Sequence, residues 1–126
     1  MYKIEKIGEC FGIQYIVKFL DGGWRCGYAK LPEGFDPEYI DELNVHGGIT
    51  FNNTLKDDEE FPDGHWVGFD CMHAGDKPGL DDVDEVFGKD ELRNSILHFS
   101  NSGHYWTFEE VEAECKRLCQ QIADLK

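Results

Sequence analysis

The chain has few basic residues and no long apolar run. Its 12 Lys and Arg stand against 26 Asp and Glu, which gives a formal net charge of −14. Such a surface repels nucleic acid and anionic membranes, so we expect no direct nucleic-acid or membrane contact and a protein partner with a basic surface. No apolar segment approaches the ~20 residues that span a bilayer, and the first residues lack the apolar centre of a signal peptide. We therefore expect a cytoplasmic protein.

The chain has an odd number of cysteines, and no two of them have the spacing of a Cys-x-x-Cys motif. The five cysteines are Cys10, Cys26, Cys71, Cys115 and Cys119. No Cys-x-x-Cys pair occurs, and reduced thiols are the expected state in a protein without an export signal. P-loop, His-Glu-x-x-His and Gly-x-Ser-x-Gly motifs are also missing, which counts against the best-known hydrolase classes.

Length and composition predict a single domain over residues 1–126 with enough aromatic side chains for a core. Residues 13–20 are β-branched and aromatic, and Asp21-Gly22-Gly23 separates them from a second such run, residues 24–31. This pattern predicts a β-hairpin. Further strands are predicted over 45–51 and 65–71, with an acidic loop or long hairpin connection between them.

The connecting segments carry weaker signals. Residues 37–43 predict a short helix with Asp36 as its N-cap and Pro37 at its first position. Residues 77–91 are rich in Asp and Gly, so we expect a loop with at most one helical turn. Residues 93–100 fit either a short helix or a strand.

The last segment predicts a helix of about 18 residues. Thr107 and Glu110 form a capping box, and apolar residues then recur at helical spacing from Phe108 to Leu125. The predicted fold class is therefore α+β: a small, mostly antiparallel sheet with a long C-terminal amphipathic helix packed on one face.

A candidate ligand or partner site lies where a predicted strand ends in polar residues. Its members are His46, Gly47, Gly48, Asp70, Cys71, His73 and Asp76. His46, Asp70, His73 and Asp76 offer imidazole and carboxylate ligands, which suit a divalent metal such as zinc, manganese or iron. The glycines would permit close approach of a ligand to the backbone. This spacing matches no established metal motif.

The same residues also allow a purely structural interpretation. Asp70 and Asp76 are suited to bonding backbone N–H groups in a turn, and the two histidines to hydrogen bonding within the fold. Cys71 could act as a nucleophile with His73 or His46 as base, but Asp70 beside it would raise its pKa. A buried position in the core is the better interpretation for this thiol.

Half of the carboxylates lie in residues 56–92, with only three Lys. We treat eight of them as a candidate acidic surface: Asp57, Asp58, Glu59, Glu60, Asp81, Asp82, Asp84 and Glu85. A solvated loop, a surface that imitates the charge of nucleic acid, and a cation site are the three interpretations. The spacing does not match an EF-hand calcium loop.

Several segments together resemble small uncharacterised proteins of phages and prophages. They are Arg25–Tyr28, Val45–Phe51, Trp66–Asp76 and the Glu-rich final helix, within residues 24–120. The resemblance implies an accessory protein expressed in a bacterial cytoplasm, and the acidic stretch after Asp76 departs from the pattern.

Three functions follow as hypotheses. The first is a binding protein that counteracts a host defence by occupying a basic nucleic-acid-binding surface or by sequestering a small ligand. The second is a small metal-dependent hydrolase that uses His46, Asp70, His73 and Asp76. The third is a structural or regulatory phage protein without a small ligand.

Overall fold

A computed structural model describes residues 1–90 and 103–126 of the protein. Five antiparallel strands form one sheet in the order β1-β2-β3-β5-β4, and a long C-terminal helix packs on it, which confirms the predicted α+β class. The elements are β1 (Tyr2–Cys10), β2 (Ile13–Leu20), β3 (Arg25–Lys30), a 3-10 helix (Pro37–Glu42), β4 (Phe51–Leu55), β5 (Gly64–Asp70), α1 (Leu80–Phe87) and α2 (Phe108–Leu125). Within the described ranges, neither α-helix is long and apolar enough to cross a bilayer.

The helix α2 covers one face of the sheet. The side chain of Thr107 accepts from the backbone N–H of Glu110, and the side chain of Glu110 accepts from the backbone N–H of Thr107, so the predicted capping box is present. The apolar stripe of α2 packs on β2 and β3, where alternate residues such as Tyr15, Val17 and Ala29 face the helix. Burial of this stripe is the main force that holds α2 on the sheet, since an isolated helix of this length is marginal in water.

The opposite face of the sheet has a smaller core. Ile16 and Trp66 are fully buried there, and Phe61 from the loop over residues 56–63 covers them. The indole Nε1 of Trp66 donates to the Pro62 carbonyl at 2.8 Å, which fixes this loop on the sheet. The side chain of Asp58 accepts the backbone N–H groups of Glu60 and Phe61, and these bonds lower the pKa of its carboxyl group. In this way one acidic loop lies over the second face.

The strand prediction at the β4 end was wrong. The strand predicted over residues 45–51 is irregular backbone up to Thr50, and β4 instead runs over Phe51–Leu55, inside the predicted acidic connection. Gly47 and Gly48 have φ angles of +71° and +81°, in the left-handed region that a strand cannot use. The two glycines therefore end the extended run that its apolar residues suggested.

Other elements differ from the predictions in extent. Edge strand β1 was not predicted, because its charged residues hide the alternation of a half-exposed strand. The predicted hairpin of β2 and β3 is present, and the predicted short helix is a 3-10 helix capped by Asp36. α1 is longer than the single predicted turn, because Val83 is fully buried and Phe87 stacks on Phe19 at 5.8 Å. The prediction for residues 93–100 lies outside the described residues.

Candidate functional site

Asp76 is the centre of the predicted site. Its side chain is 3% exposed, and its Oδ2 accepts from Nε2 of His46 at 2.8 Å and from the backbone N–H of His73 at 3.1 Å. An ionised carboxylate only accepts, so Nε2 of His46 must carry the proton in this bond. The N–H of Asp76 donates back to the His73 carbonyl at 2.9 Å. The buried carboxylate of Asp76 thus closes the turn from His73 to Asp76 and bonds this turn to the loop that carries His46.

Asp70 and His73 form the second part of the cluster. Oδ2 of Asp70 accepts from the Thr50 hydroxyl at 2.7 Å, and Oδ1 accepts from the Met72 backbone at 3.1 Å. Nε2 of His73 lies 3.1 Å from the same Oδ1, yet this buried nitrogen makes no hydrogen bond within the described residues. The distance allows an ion pair when the ring is protonated, but the geometry is not that of a hydrogen bond. Asp70 therefore mainly holds the strand end and the loop at Thr50 together.

Sequence reasoning missed the aromatic partner of this cluster. The ring of Trp106 lies 4.3 Å from that of His46 at an interplanar angle of 32°. His73 contacts the other side of His46 at 5.7 Å, and His104 contacts Trp106 at 5.6 Å. Three histidines and one tryptophan thus form a row of rings. Trp106 and His104 lie just before α2, and their only sequence signal is the aromatic run next to the capping box.

The α2 helix also bonds the loop that carries His46. Oε2 of Glu114 accepts the His46 backbone N–H at 2.9 Å, and Arg117 donates to Oε1 of Glu114 at 2.6 Å. Burial alone would raise the pKa of Glu114, but the bonds from Arg117 and His46 together outweigh it and lower this pKa. Glu114 therefore acts as a charged acceptor that fixes the loop to the helix.

The two glycines next to His46 differ in what surrounds them. A Cβ atom added at Gly47 would collide with the ring of His73, whereas one added at Gly48 would meet nothing within 4 Å. The close approach that we expected for a ligand at Gly47 is made by the protein's own imidazole. Gly48 is required only for its left-handed backbone.

Cys71 belongs to the core. It is 1% exposed and packs on the α2 side, while the preceding Asp70 points to the other face of the strand, as alternation requires. Burial first, and then the charges of Asp76, Cys26 and Asp70, raise the pKa of this thiol far above its ordinary value. A neutral, buried thiol is a poor nucleophile, so the geometry favours the structural interpretation of Cys71.

Three clefts in the described part of the chain lie away from this cluster. Among the described residues, no group of three or more His, Cys, Asp or Glu side chains is placed to hold a metal ion. A cleft of about 890 Å³ extends from Phe35 to His65 at the end of β3, and two smaller clefts have volumes of about 330 and 370 Å³. None of the three is lined by a member of the predicted site, and substrates usually bind in clefts.

The predicted acidic surface is divided between two elements. Asp57, Asp58, Glu59 and Glu60 lie in the loop that covers the face opposite α2. The remaining four, Asp81, Asp82, Asp84 and Glu85, lie on α1. Lys18 of β2 lies over the ring of Phe61 and therefore points to the loop side of the sheet. The next residue, Phe19, points to the other side, and Phe87 of α1 stacks on it. α1 therefore packs on the face of the sheet opposite the loop. From the sequence we predicted a single acidic surface, but the loop and α1, which carry these residues, cover opposite faces of the sheet.

Asp82 is bonded to a network around the buried Arg25, and its own side chain is 40% exposed. Arg25, 3% exposed, donates to Glu5 at 2.6 Å and to the Tyr105 hydroxyl at 2.7 Å, and its guanidinium lies 3.7 Å from Asp82. The Tyr105 hydroxyl donates to Asp82. Desolvation lowers the pKa of Arg25, but the bonds that Arg25 donates to Glu5 and Tyr105 outweigh it and raise this pKa above its ordinary value.

Comparison with known proteins gives no relative. No family model, no curated protein and no solved structure matches the chain. The functional argument therefore depends on this chain alone. Taken together, the contacts of the histidine cluster join the loop of His46 and Thr50, the turn of His73 and Asp76, and α2.

Proposed function

We propose that the protein is a small acidic binding protein of the phage accessory type, which acts in the bacterial cytoplasm by occupying a basic, nucleic-acid-binding surface of a host protein. The observation that carries the proposal is the loop over residues 56–63. It presents the exposed side chains of Asp57 and Glu59, and Glu59 lines a cleft together with Tyr2 of edge strand β1, which is 44% exposed. Carboxylates next to exposed apolar side chains are typical of a protein docking surface.

Function as a binding protein also agrees with the role of the histidine cluster. Both carboxylates of the cluster already have partners within the fold: Asp76 accepts from His46 and from the backbone of His73, and Asp70 accepts from the Thr50 hydroxyl. Catalytic groups usually face a cleft where a substrate can approach. The cluster supplies rigidity instead, and a rigid scaffold lowers the entropy lost when a surface binds its partner.

The test compares two double variants, each of which loses two negative charges. In Asp57→Asn/Glu59→Gln the loop loses two charges, and Asn suits the left-handed backbone of residue 57, where φ is +56°. Asp81→Asn/Glu85→Gln removes two exposed charges from α1 and serves as the matched control. Each immobilised protein is exposed to bacterial lysate, and the bound proteins are identified and quantified by mass spectrometry.

We expect the loop variant to lose a basic, nucleic-acid-binding protein that the wild type and the α1 variant retain. Two rim charges worth about 0.5–1 kcal/mol each correspond to about 5- to 30-fold weaker binding. Equal retention by all three proteins would contradict a role of the loop. Equal loss in both variants would indicate general charge attraction without a defined surface.

The large cleft favours a second form of the binding proposal, the sequestration of a small ligand. Its volume of about 890 Å³ suits a small molecule, and Lys30 and His65 contribute polar groups to its lining. Native mass spectrometry of protein purified from bacterial cells would detect a retained ligand. A bound mass that disappears in Lys30→Ala but persists in Lys116→Ala, an exposed control on α2, is the expected result.

A further inference from the structure

On the face opposite α2, the chain's own Lys18 lies among aromatic rings. Its ammonium nitrogen is 4.2 Å from the ring centroid of Tyr2, 5.3 Å from that of Phe61 and 5.5 Å from that of Tyr28. Aromatic faces attract cations within about 6 Å, and desolvation strengthens the attraction. Three rings around one ammonium group form a cage for a cation.

The cage remains open and has an acidic rim. The three rings and Lys18 line a cleft of about 330 Å³, which Asp58, Glu59 and Glu60 border. The rings hold one another in place, since Tyr28 meets Phe61 edge to face at 5.0 Å and Phe61 meets Trp66 at 5.1 Å. Tyr2 is 44% exposed, so a side chain from outside can reach the cleft. The volume suits one long side chain.

We infer that this cleft is an anchor site for one lysine or arginine side chain of the partner, and that Lys18 occupies it in the free protein. The inference rests on the proposed function and names the contact through which the acidic loop recognises a basic partner. Charge complementarity identifies the occupant, because the rings and the carboxylates both favour a cation and Lys18 shows that one is accommodated. Binding then requires Lys18 to leave the cage, so the apparent affinity equals the intrinsic affinity multiplied by the fraction of molecules in which Lys18 has left the cage.

The first test removes the internal occupant. The probe is N-acetyl-arginine amide, titrated into Lys18→Ala and wild-type protein and followed by NMR shifts of the Tyr2, Tyr28 and Phe61 rings. We expect at least fivefold tighter binding to Lys18→Ala, and no binding of N-acetyl-citrulline amide, its neutral analogue. Lys116→Ala is the matched control, because it removes the same charge from the exposed face of α2 and should leave the affinity unchanged. Equal affinity of wild type and Lys18→Ala, or equal binding of the neutral analogue, would overturn the inference.

A second variant keeps the test decisive if Lys18→Ala is poorly folded. Phe61→Leu retains an apolar side chain over Trp66 but removes one wall of the cage, so we expect it to abolish probe binding and to weaken partner capture. Partner capture that survives Phe61→Leu would overturn the anchor site and leave the proposed function standing. If the probe binds to Lys18→Ala but partner capture is unchanged in Asp57→Asn/Glu59→Gln, the result would support the cage and contradict the proposed function.

Discussion

The substitution Asp76→Ala tests whether the histidine cluster is a structural tie. Oδ2 of Asp76 accepts two bonds in a site where the side chain is 3% exposed, and the variant leaves the His73 N–H and Nε2 of His46 without their acceptor. Each unsatisfied buried group costs roughly 1–3 kcal/mol. The ring of His46 is 24% exposed and can bond water, so we expect a total loss of about 2–4 kcal/mol.

The assay is urea unfolding at neutral pH, followed by tryptophan fluorescence. Asp76→Asn keeps one carbonyl acceptor and should lose about 1 kcal/mol, whereas the exposed control Asp81→Ala should stay within about 0.5 kcal/mol of wild type. A cycle of Asp76→Ala with His46→Ala should give a coupling energy of about 1 kcal/mol or more, because the two side chains share a bond. A loss below about 0.5 kcal/mol for Asp76→Ala, or strict additivity in the cycle, would refute the structural role.

Three further predictions concern single residues. Gly47→Ala should lose at least about 1 kcal/mol more stability than Gly48→Ala in urea unfolding, because both incur the left-handed backbone strain but only the former collides with a ring. Glu114 has a lowered pKa, so its charge stabilises the fold above the ordinary glutamate pKa of 4.5, and this stabilisation is lost as pH falls through the folded pKa. The difference in unfolding free energy between wild type and Glu114→Gln should therefore be largest near pH 7 and should shrink in acid. A difference that stays constant with pH would contradict this. In native protein at pH 8, Cys10 should be the one thiol that reacts rapidly with a disulfide reagent, since the other four cysteines are buried, and rapid labelling of Cys71 would contradict its core position.

The sequence predicted best the elements whose signals are local. The capping box at Thr107 and the apolar spacing after it located α2, and the glycines between β2 and β3 located their hairpin. It failed where a tertiary contact decides the structure. Edge strand β1 is formed by pairing with β2 despite its charges, and α1 is stabilised by burial of Val83 rather than by its own propensity.

The structure brings His46, Asp70, His73 and Asp76 together, but the sequence did not specify the bonds between them. His46 and Asp76 are 30 residues apart and bond each other directly, and Asp70 and His73 lie within ion-pair distance. Alternation also placed Asp70 and Cys71 on opposite faces. The ring of Trp106 against His46 could not be foreseen, because the approach of the residues before α2 to this loop depends on the whole sheet. The same holds for the separation of the acidic residues onto opposite faces.

The central claim is that function depends on the acidic loop and that the histidine cluster serves the fold. It is tested most directly by measuring the affinity of the captured partner for two folded variants, Asp57→Asn/Glu59→Gln and His46→Ala. We predict about 5- to 30-fold weaker binding by the loop variant and an affinity within about twofold of wild type for His46→Ala. Wild-type affinity in the loop variant, together with loss of binding in His46→Ala, would contradict the account.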